Sequence, residues 1–589
     1  MSEYKNPQSD PGSQQRLMVA LLLMFVMIAV MQFLLPKPQP QPEPAKPAGQ
    51  GQAASPTPTP PPSAPVTRKG APAPTPTPKA AVKQAAAETE TVLENDHYRV
   101  TLINRGAVAK SWVLKDFKDN KGQPLDLVNS AAAAELGFPL SLFSYDKNLE
   151  KKLNQSLYVA STAGLIKGDG SVTFDFSDGE TVARKTFRID KGYVLGVETE
   201  VTHQGQPVQT FIQWPSGLGD LSEARSYANA RIDWQRGGNI EHKAAVSGWF
   251  LTGKKWIAGG ETFTGPFQWA AAADQYFAAA FMPEDPKNAV VVTLNSPIEV
   301  AKDASKPNEA KDKVAVLGVG VGSTQGPTRV RVFAGPKTVE ALEATLAQPG
   351  GPDLRGMTDF GTFGFIARPL FLWLRWTYEH WIPNWGWAIA FLTVVITMVL
   401  LPLRISSMKS SLKMQKIQPQ IKAIQEKYKR YSITDPRKAE MHKEMQELQK
   451  REGVNPLGGC LPMLLQMPFL LAFYSMLANA IELRHASWLW IKDLSAPDPY
   501  HILPVIIVIT MYLSTKSMPQ AGMDPAQQKI MNLMGPAMIG YMSWFFAAGM
   551  CVYWAISNLL GYVQQLAINR SELGREVRKN MEKRAARKK

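Results

Sequence analysis

The stretch Thr393–Ser410, TVVITMVLLPLRISSMKS, changes character at Pro402-Leu403-Arg404. Its first half has the side chains of a lipid-facing helix, and its second half reads as a basic, water-facing one. Arg404 therefore either marks the edge of a membrane span or acts on something within the membrane. The rest of the chain decides which kind of protein could use it.

The sequence runs to 589 residues with a formal charge of +15 and a mean hydropathy of -0.16. That average mixes unlike regions, since apolar runs gather at the N-terminus and after residue 385 while the middle is polar. Cys460 and Cys551 are the two cysteines, both in apolar stretches, so the polar middle folds without disulfides. The seven histidines form no HExxH or Cys/His cluster, and no phosphate-cradling glycine loop or nucleophile elbow occurs. The composition predicts no enzyme, no metal site and no cofactor.

Working outward, residues 1–16 precede an apolar run, 17–35, that is interrupted only by Gln32 and is long enough to cross a bilayer. A cleavable signal peptide would be shorter and end in small residues, whereas this run ends in FLLPKP, so it reads as a retained anchor. Residues 36–88 are rich in Pro, Ala, Gln and Thr and read as an extended tether. Over 89–350, stretches such as HYRVTLIN, SVTFDFSD and GYVLGVETEV alternate apolar and polar residues. That period of two predicts half-buried antiparallel strands of a large all-β sandwich.

Residues 360–382 carry many aromatics beside Arg368, Arg375 and Glu379, which suits an amphipathic helix in the headgroup region. Five further spans are expected at 385–403, 458–480, 500–516, 530–546 and 550–566. The segment Arg404–Glu452 holds thirteen Lys/Arg against six acids, and Ser571–Lys589 holds eight against three. The positive-inside rule then makes both termini and the segment 404–455 cytoplasmic, with the β domain exported. The seam Met414, Ile417, Ile421, Ile424 and Tyr428, followed by Met441, Met445 and Leu448, predicts a helical hairpin there, with Asp435 capping its second arm and Gly453 ending it. Residues 570–589 form a basic tail suited to ribosomal RNA or anionic lipid.

None of the six predicted spans contains Asp or Glu, which argues against proton- or sodium-coupled transport. Polar residues do occur within them. Thr393, Thr397 and Arg404 fall at i, i+4 and i+11, within about 40° of one another on one helix face. Gln466, Thr510, Ser514, Tyr553, Trp554, Ser557 and Asn558 lie on other spans. Such residues either bond helix to helix or line a hydrated recess, and Arg404 either snorkels outward or faces that recess.

The stretches VNPLGGCLPMLLQMPFLLAFYSML, IELRHASWLWIKDLSAPDPYHILP, DPAQQKIMNLM and VYWAISNLLGYVQQLAI, in that order, resemble the YidC/Oxa/Alb membrane-protein insertases. An added anchor and exported domain, with ARKTFRIDKGYVLGVETEV and ADQYFAAAFMP, resemble the Gram-negative bacterial form. The resemblance implies a polytopic helical core with a periplasmic β-supersandwich. Its implied function is ATP-independent insertion and folding of inner-membrane proteins, alone or with the Sec translocon. Implied partners are nascent membrane proteins, Sec components, the lipid bilayer, and the ribosome through hairpin and tail. It also implies a hydrophilic groove open to cytoplasm and lipid, with Gln466 and Trp554 lining it and Tyr553 and Asn558 nearby. The family's usual groove cation aligns with Thr397, so Arg404 is expected to supply the positive charge at the groove mouth. A secondary transporter and a non-inserting assembly chaperone are the competing classes.

Overall fold

The computed structural model describes residues 80–219, 221, 226–244, 246–247, 255–256, 260–301, 311–358, 360, 363–428, 431, 435–453, 461–517, 525–572 and 574–575. The expected N-terminal segment, the anchor, most of the tether and the tail beyond 575 lie outside the described residues.

The alternating stretches form strands because their apolar positions share one face of the pleat. Tyr98, Val100 and Leu102 are buried, as are Val172, Phe174 and Phe176, and Leu195, Val197 and Val201. A ten-stranded sheet runs in the order Asn239–Ala244, Arg231–Arg236, Phe267–Ala273, Phe277–Pro283, Thr328–Pro336, Val194–His203, Thr181–Ile189, Ser171–Ser177, Val159–Ala160, with Gln206–Pro207 on a side branch. A five-stranded sheet orders Thr262–Thr264, Ala289–Ala301, Lys311–Ser323, Phe211–Trp214 and Ser141–Phe143. Another orders Pro124–Asp126, Val108–Lys118, Tyr98–Ile103, Glu90–Glu94 and Gly164–Lys167. One apolar core draws side chains from all three, with Tyr98, Trp112 and Trp214 in ring contact at 5.5 and 5.8 Å.

Three expectations for this domain are corrected. It is not purely strand, since helices α1 (Ser130–Leu136), α2 (Lys147–Gln155) and α3 (Val339–Leu346) are built into it. Asn129, Asp146 and Thr338 cap them by accepting backbone N–H bonds, a local chemistry that period-two reading passes over. Nor is it wholly antiparallel, because Thr91–Glu94 pairs parallel with Gly164–Lys167. The tether also ends earlier than composition suggests. Lys83 exchanges backbone hydrogen bonds with Ser177 at 2.9 Å, and the Ala85 N–H donates to Leu157 at 3.1 Å, because unpaired strand edges accept any extended chain beside them.

Eight helices follow: α4 (Gly364–His380), α5 (Trp385–Val399), α6 (Leu401–Lys427), α7 (Arg437–Arg451), α8 (Leu461–Asn479), α9 (Ile502–Ser517), α10 (Pro525–Ser543) and α11 (Ala548–Asn569). Among the described residues no single helix is long and apolar enough to cross a membrane, while α5 and the first half of α6 qualify only as a pair bent by 53°. The continuous segment 385–403 is thus corrected to a broken one. Pro402 has no N–H, and its ring clashes with the carbonyl of Met398 in a straight helix. The segment expected at 530–546 stops at Ser543, since Trp544–Phe546 are apolar enough to score as span yet form the turn into α11. The second arm of the hairpin begins at Arg437, whose backbone N–H donates to the Asp435 carboxylate at 3.0 Å and whose guanidinium pairs with it at 2.8 Å. Ile417, Ile421 and Leu448 pack between α6 and α7.

One helical core cluster draws buried side chains from α4, α5, α8, α9 and α11. The loop 480–501 closes one end of it with Ile481, Leu483, Trp488, Ile491 and Leu494, all buried. Ala548 and Gly549 donate backbone hydrogen bonds to Ala496 (2.7 Å) and Leu494 (2.9 Å), sealing the α10–α11 turn onto that loop. Gly386 is required there, because a Cβ would lie 2.2 Å from the Trp488 ring. At the same end the β domain docks. Ile481 enters the β-domain core cluster, and the Gln275 side chain donates to the Ala478 carbonyl at 2.5 Å.

Lys185 sits fully buried in the β domain and donates to the carbonyls of Gly106 (3.0 Å), Ala107 (2.7 Å) and Leu140 (2.7 Å). Burial pushes its pKa from 10.5 down to about 7. Between those values the unfolded chain holds a proton that the folded chain sheds, so domain stability rises with pH across the window. Replacing Lys185 by Met should leave three buried carbonyls unsatisfied, destabilise the domain by about 3 kcal/mol or more, and abolish that slope. Urea melts of the full chain at several pH values, followed by protease resistance of the β domain, measure both effects.

Candidate functional site

Arg404 stands on the first turn of α6, just past the Pro402 break. Its side chain is half-buried, and Nη1 donates to Oε1 of Gln564 on α11 at 3.4 Å. Gly561, one turn earlier on α11, faces the same guanidinium: a Cβ there would lie 3.4 Å from Nη1, an ordinary contact, and a larger side chain would crowd it. The guanidinium also interacts electrostatically with the Tyr553 hydroxyl. Tyr553 itself is buried and stacked on Phe473 of α8, ring centroids 4.2 Å apart and planes 14° from parallel.

Thr397 is buried at the end of α5, but the bend separates it from Arg404, so the shared-face geometry expected of a continuous helix does not hold. Thr393 and Thr510 donate to the carbonyls of their own helices, from Thr393 to Ile389 and from Thr510 to Ile506, each at 2.7 Å. They act as local backbone partners. Trp554 is half-buried with its ring 5.8 Å from Phe546, and Asn558 is half-buried on the same helix. Gln466 falls within α8, and its side chain lies outside the described ones. Arg404 and Tyr553 are therefore brought together, and Trp554 and Asn558 sit on the helix that carries their partner.

Ser557 heads a polar stripe on α11 whose later members sequence reasoning missed. Ser557, Gly561, Gln564, Gln565 and Asn569 follow at i, i+4, i+7, i+8 and i+12, a helical spacing inside an apolar run. Ser557 and Gln565 are buried, and Gln565 donates to Asn569 at 2.8 Å. The Gln565 Oε1 is buried without a partner among the described residues. Asn569 in turn donates to the carbonyl of Ser517 at 3.1 Å, tying α11 to the end of α9. Among the described residues no group of His, Cys, Asp and Glu could hold a metal ion. What this arrangement offers is a cation and amide groups held inside an apolar bundle at one end, opposite an end sealed by backbone bonds.

The model of the family described as 60Kd inner membrane protein matches residues 376–575, and that of the YidC periplasmic domain matches 90–373. A Membrane protein insertase YidC from Ralstonia nicotianae is 30% identical over 498 residues, covering 83% of this chain and 85% of that protein. The chain belongs to the YidC membrane protein insertase family. Its relative of the same name from Wolinella succinogenes is 32% identical over 489 residues, covering 81% of each. The solved structure "Active YidC insertase crystal structure with the first transmembrane domain resolved" is 18% identical with a TM-score of 0.33, covering 83% of this chain and 95% of its own. The family's periplasmic and inner-membrane modules meet between residues 373 and 376, inside α4, so one continuous helix joins them.

If Gly561 exists to admit the Arg404 guanidinium, Gly561→Val should overpack that contact and cost about 1–3 kcal/mol in detergent unfolding. Combined with Arg404→Ala, the penalty should shrink well below the sum of the two single effects. Strict additivity would mean that the two groups do not share a site.

Proposed function

We propose that this chain is an inner-membrane insertase that moves polar flanks of client segments through a one-sided hydrated groove, with Arg404 as the groove cation. The observation that carries the reading is the half-buried Arg404 guanidinium held against Gln564 and near Tyr553 inside an apolar bundle. Thr397, Gln466, Trp554 and Asn558 complete the groove in this reading, and Gln564 joins them. The core spans the membrane five times beside an N-terminal anchor, both termini face the cytoplasm, and the loop 480–501 faces the periplasm with the β domain. The Sec translocon and the ribosome are proposed partners, the latter through the α6–α7 hairpin and the basic tail.

The physics requires no nucleotide. A charge at the bilayer centre costs from about 3 to well over 10 kcal/mol, the lower end reached where water or protein polar groups reach it. A groove that already holds a cation and amides shortens the hydrocarbon path a polar flank must cross. The client's apolar stretch then leaves sideways into lipid, driven by about 25 cal/mol per Å² of buried apolar area. Acidic flanks are attracted by Arg404 and drawn outward by the membrane potential, at about 2.3 kcal/mol per charge per 100 mV.

Insertion of a client with an acidic exported tail should fall roughly tenfold in Arg404→Ala and less in Gln564→Ala, measured with the purified chain in liposomes. A client whose exported tail is neutral should be affected least. Thr397→Arg in the Arg404→Ala background should recover insertion if charge in the groove, rather than one position, is what matters. Full insertion by Arg404→Ala with the acidic client would remove the electrostatic role.

A further inference from the structure

A cleft of about 400 Å³ opens where the β domain meets the loop 480–501 and the α10–α11 turn. Its lining includes Asp274 and Tyr276 from the domain, Arg484 and Asp493 from the loop, and Phe545 from the turn. Two charged groups of opposite sign face it without pairing to each other among the described residues. Asp274 is 2% exposed; its Oδ1 accepts the N–H groups of Tyr276 and Phe277, while its Oδ2 is buried with no partner among the described residues. Arg484 lies over the rings of Tyr276 and Phe277, at 6.0 and 5.5 Å, and its Nη1 is likewise buried with no partner among the described residues. Asp493 is already engaged, accepting from the backbone N–H and hydroxyl of Ser495 and lying 3.7 Å from His485.

A buried carboxylate oxygen and a buried guanidinium nitrogen, each lacking a partner, destabilise the site as it stands. Direct contact would satisfy both, yet they line the same cleft unpaired. A molecule carrying both an anion and a hydrogen-bonding cation would satisfy both at once, each side chain turning its buried atom toward the cleft. The neighbourhood says where such a molecule comes from. Tyr541, Trp544 and Phe545 are 69%, 46% and 62% exposed at the end of α10 beside the cleft, the side chains found at the level of lipid headgroups. The geometry points to a binding site for the headgroup of a zwitterionic phospholipid, phosphate on Arg484 and primary ammonium on Asp274, at the seam between the periplasmic domain and the helical core. The site rests on the proposed topology, which puts the loop 480–501 at the outer leaflet. Occupied, it would fasten the β domain to the membrane surface through lipid as well as through Ile481 and Gln275.

The full chain is reconstituted in nanodiscs of phosphatidylethanolamine, phosphatidylcholine and phosphatidylglycerol in equal amounts with matched acyl chains, then released and weighed intact with its retained lipids. Phosphatidylethanolamine should be retained roughly tenfold over the other two, because the choline headgroup lacks N–H donors and the glycerol headgroup lacks the cation. Arg484→Gln and Asp274→Asn should each bring that ratio near unity, and Arg484→Lys should keep part of it. No preference in the wild type, or a preference unchanged in both variants, overturns the proposal. Displacement by soluble glycerophosphoethanolamine as effective as by the lipid would assign the site to a free compound and overturn the lipid assignment. Asn preserves the Oδ1 bonds of Asp274, and should that variant still misfold, Arg484→Gln alone decides. Labelling of Ser495→Cys by an impermeant maleimide from the periplasmic side, with no lipid preference, sinks this inference only. Labelling from the cytoplasmic side alone sinks the topology and the inference together.

Discussion

Pro402 lacks an amide hydrogen, and its ring cannot sit over the carbonyl of Met398 in a straight helix. From that covalent fact the arrangement of the candidate groove follows. The apolar helix from Trp385 stops at Val399, and a second helix starts at Leu401 on an axis bent by 53°. Thr397 remains packed in the bundle while Arg404 meets α11 at Gly561 and Gln564. The same change of direction aims the rest of α6, so that Ile417 and Ile421 can close on Leu448 of α7. The basic hairpin and the position of Arg404 thus have one origin.

The two ends of the helical core are built on opposite principles. At the loop 480–501, backbone donors of Ala548 and Gly549 are spent on Ala496 and Leu494, and large apolar side chains fill what remains. Toward the start of α6, amide and guanidinium groups reach across the bundle in bonds such as Arg404 to Gln564, and the Gln565 Oε1 has no partner among the described residues. An under-satisfied polar stripe in an apolar bundle is a poor stability device. It suits a surface that must exchange partners with passing client segments, which is the reading proposed for this insertase family member. The β domain is docked at the sealed end, through Ile481 and Gln275.

Much of this was legible beforehand. Period-two alternation identified the strands around Tyr98, Val172 and Leu195, while the inward register of Lys185, which shares its face with Ala183, Phe187 and Ile189, went unread. Why a lysine can face inward was not legible, because its acceptors lie 79, 78 and 45 residues away in sequence. The polar residues of α11 were open to the same helical-spacing argument that picked out Thr393 and Thr397. Hydropathy drew attention instead to Tyr553 and Trp554, and left Gln564 unread. Hydropathy likewise carried the segment near 530–546 through Trp544–Phe546, which transfer energy favours and chain reversal forbids.

By itself the sequence determined what is local or periodic: apolar runs, strand alternation, charge asymmetry and the motifs shared with a family. These depend on residues a few positions apart, whose geometry the backbone fixes. Only the tertiary structure decided which side chains meet, because Arg404 and Gln564 are 160 residues apart and their contact depends on a bend, a glycine and the packing of helices between them. It also decided that Asp274 and Arg484, far apart in the chain, would share one cleft without touching.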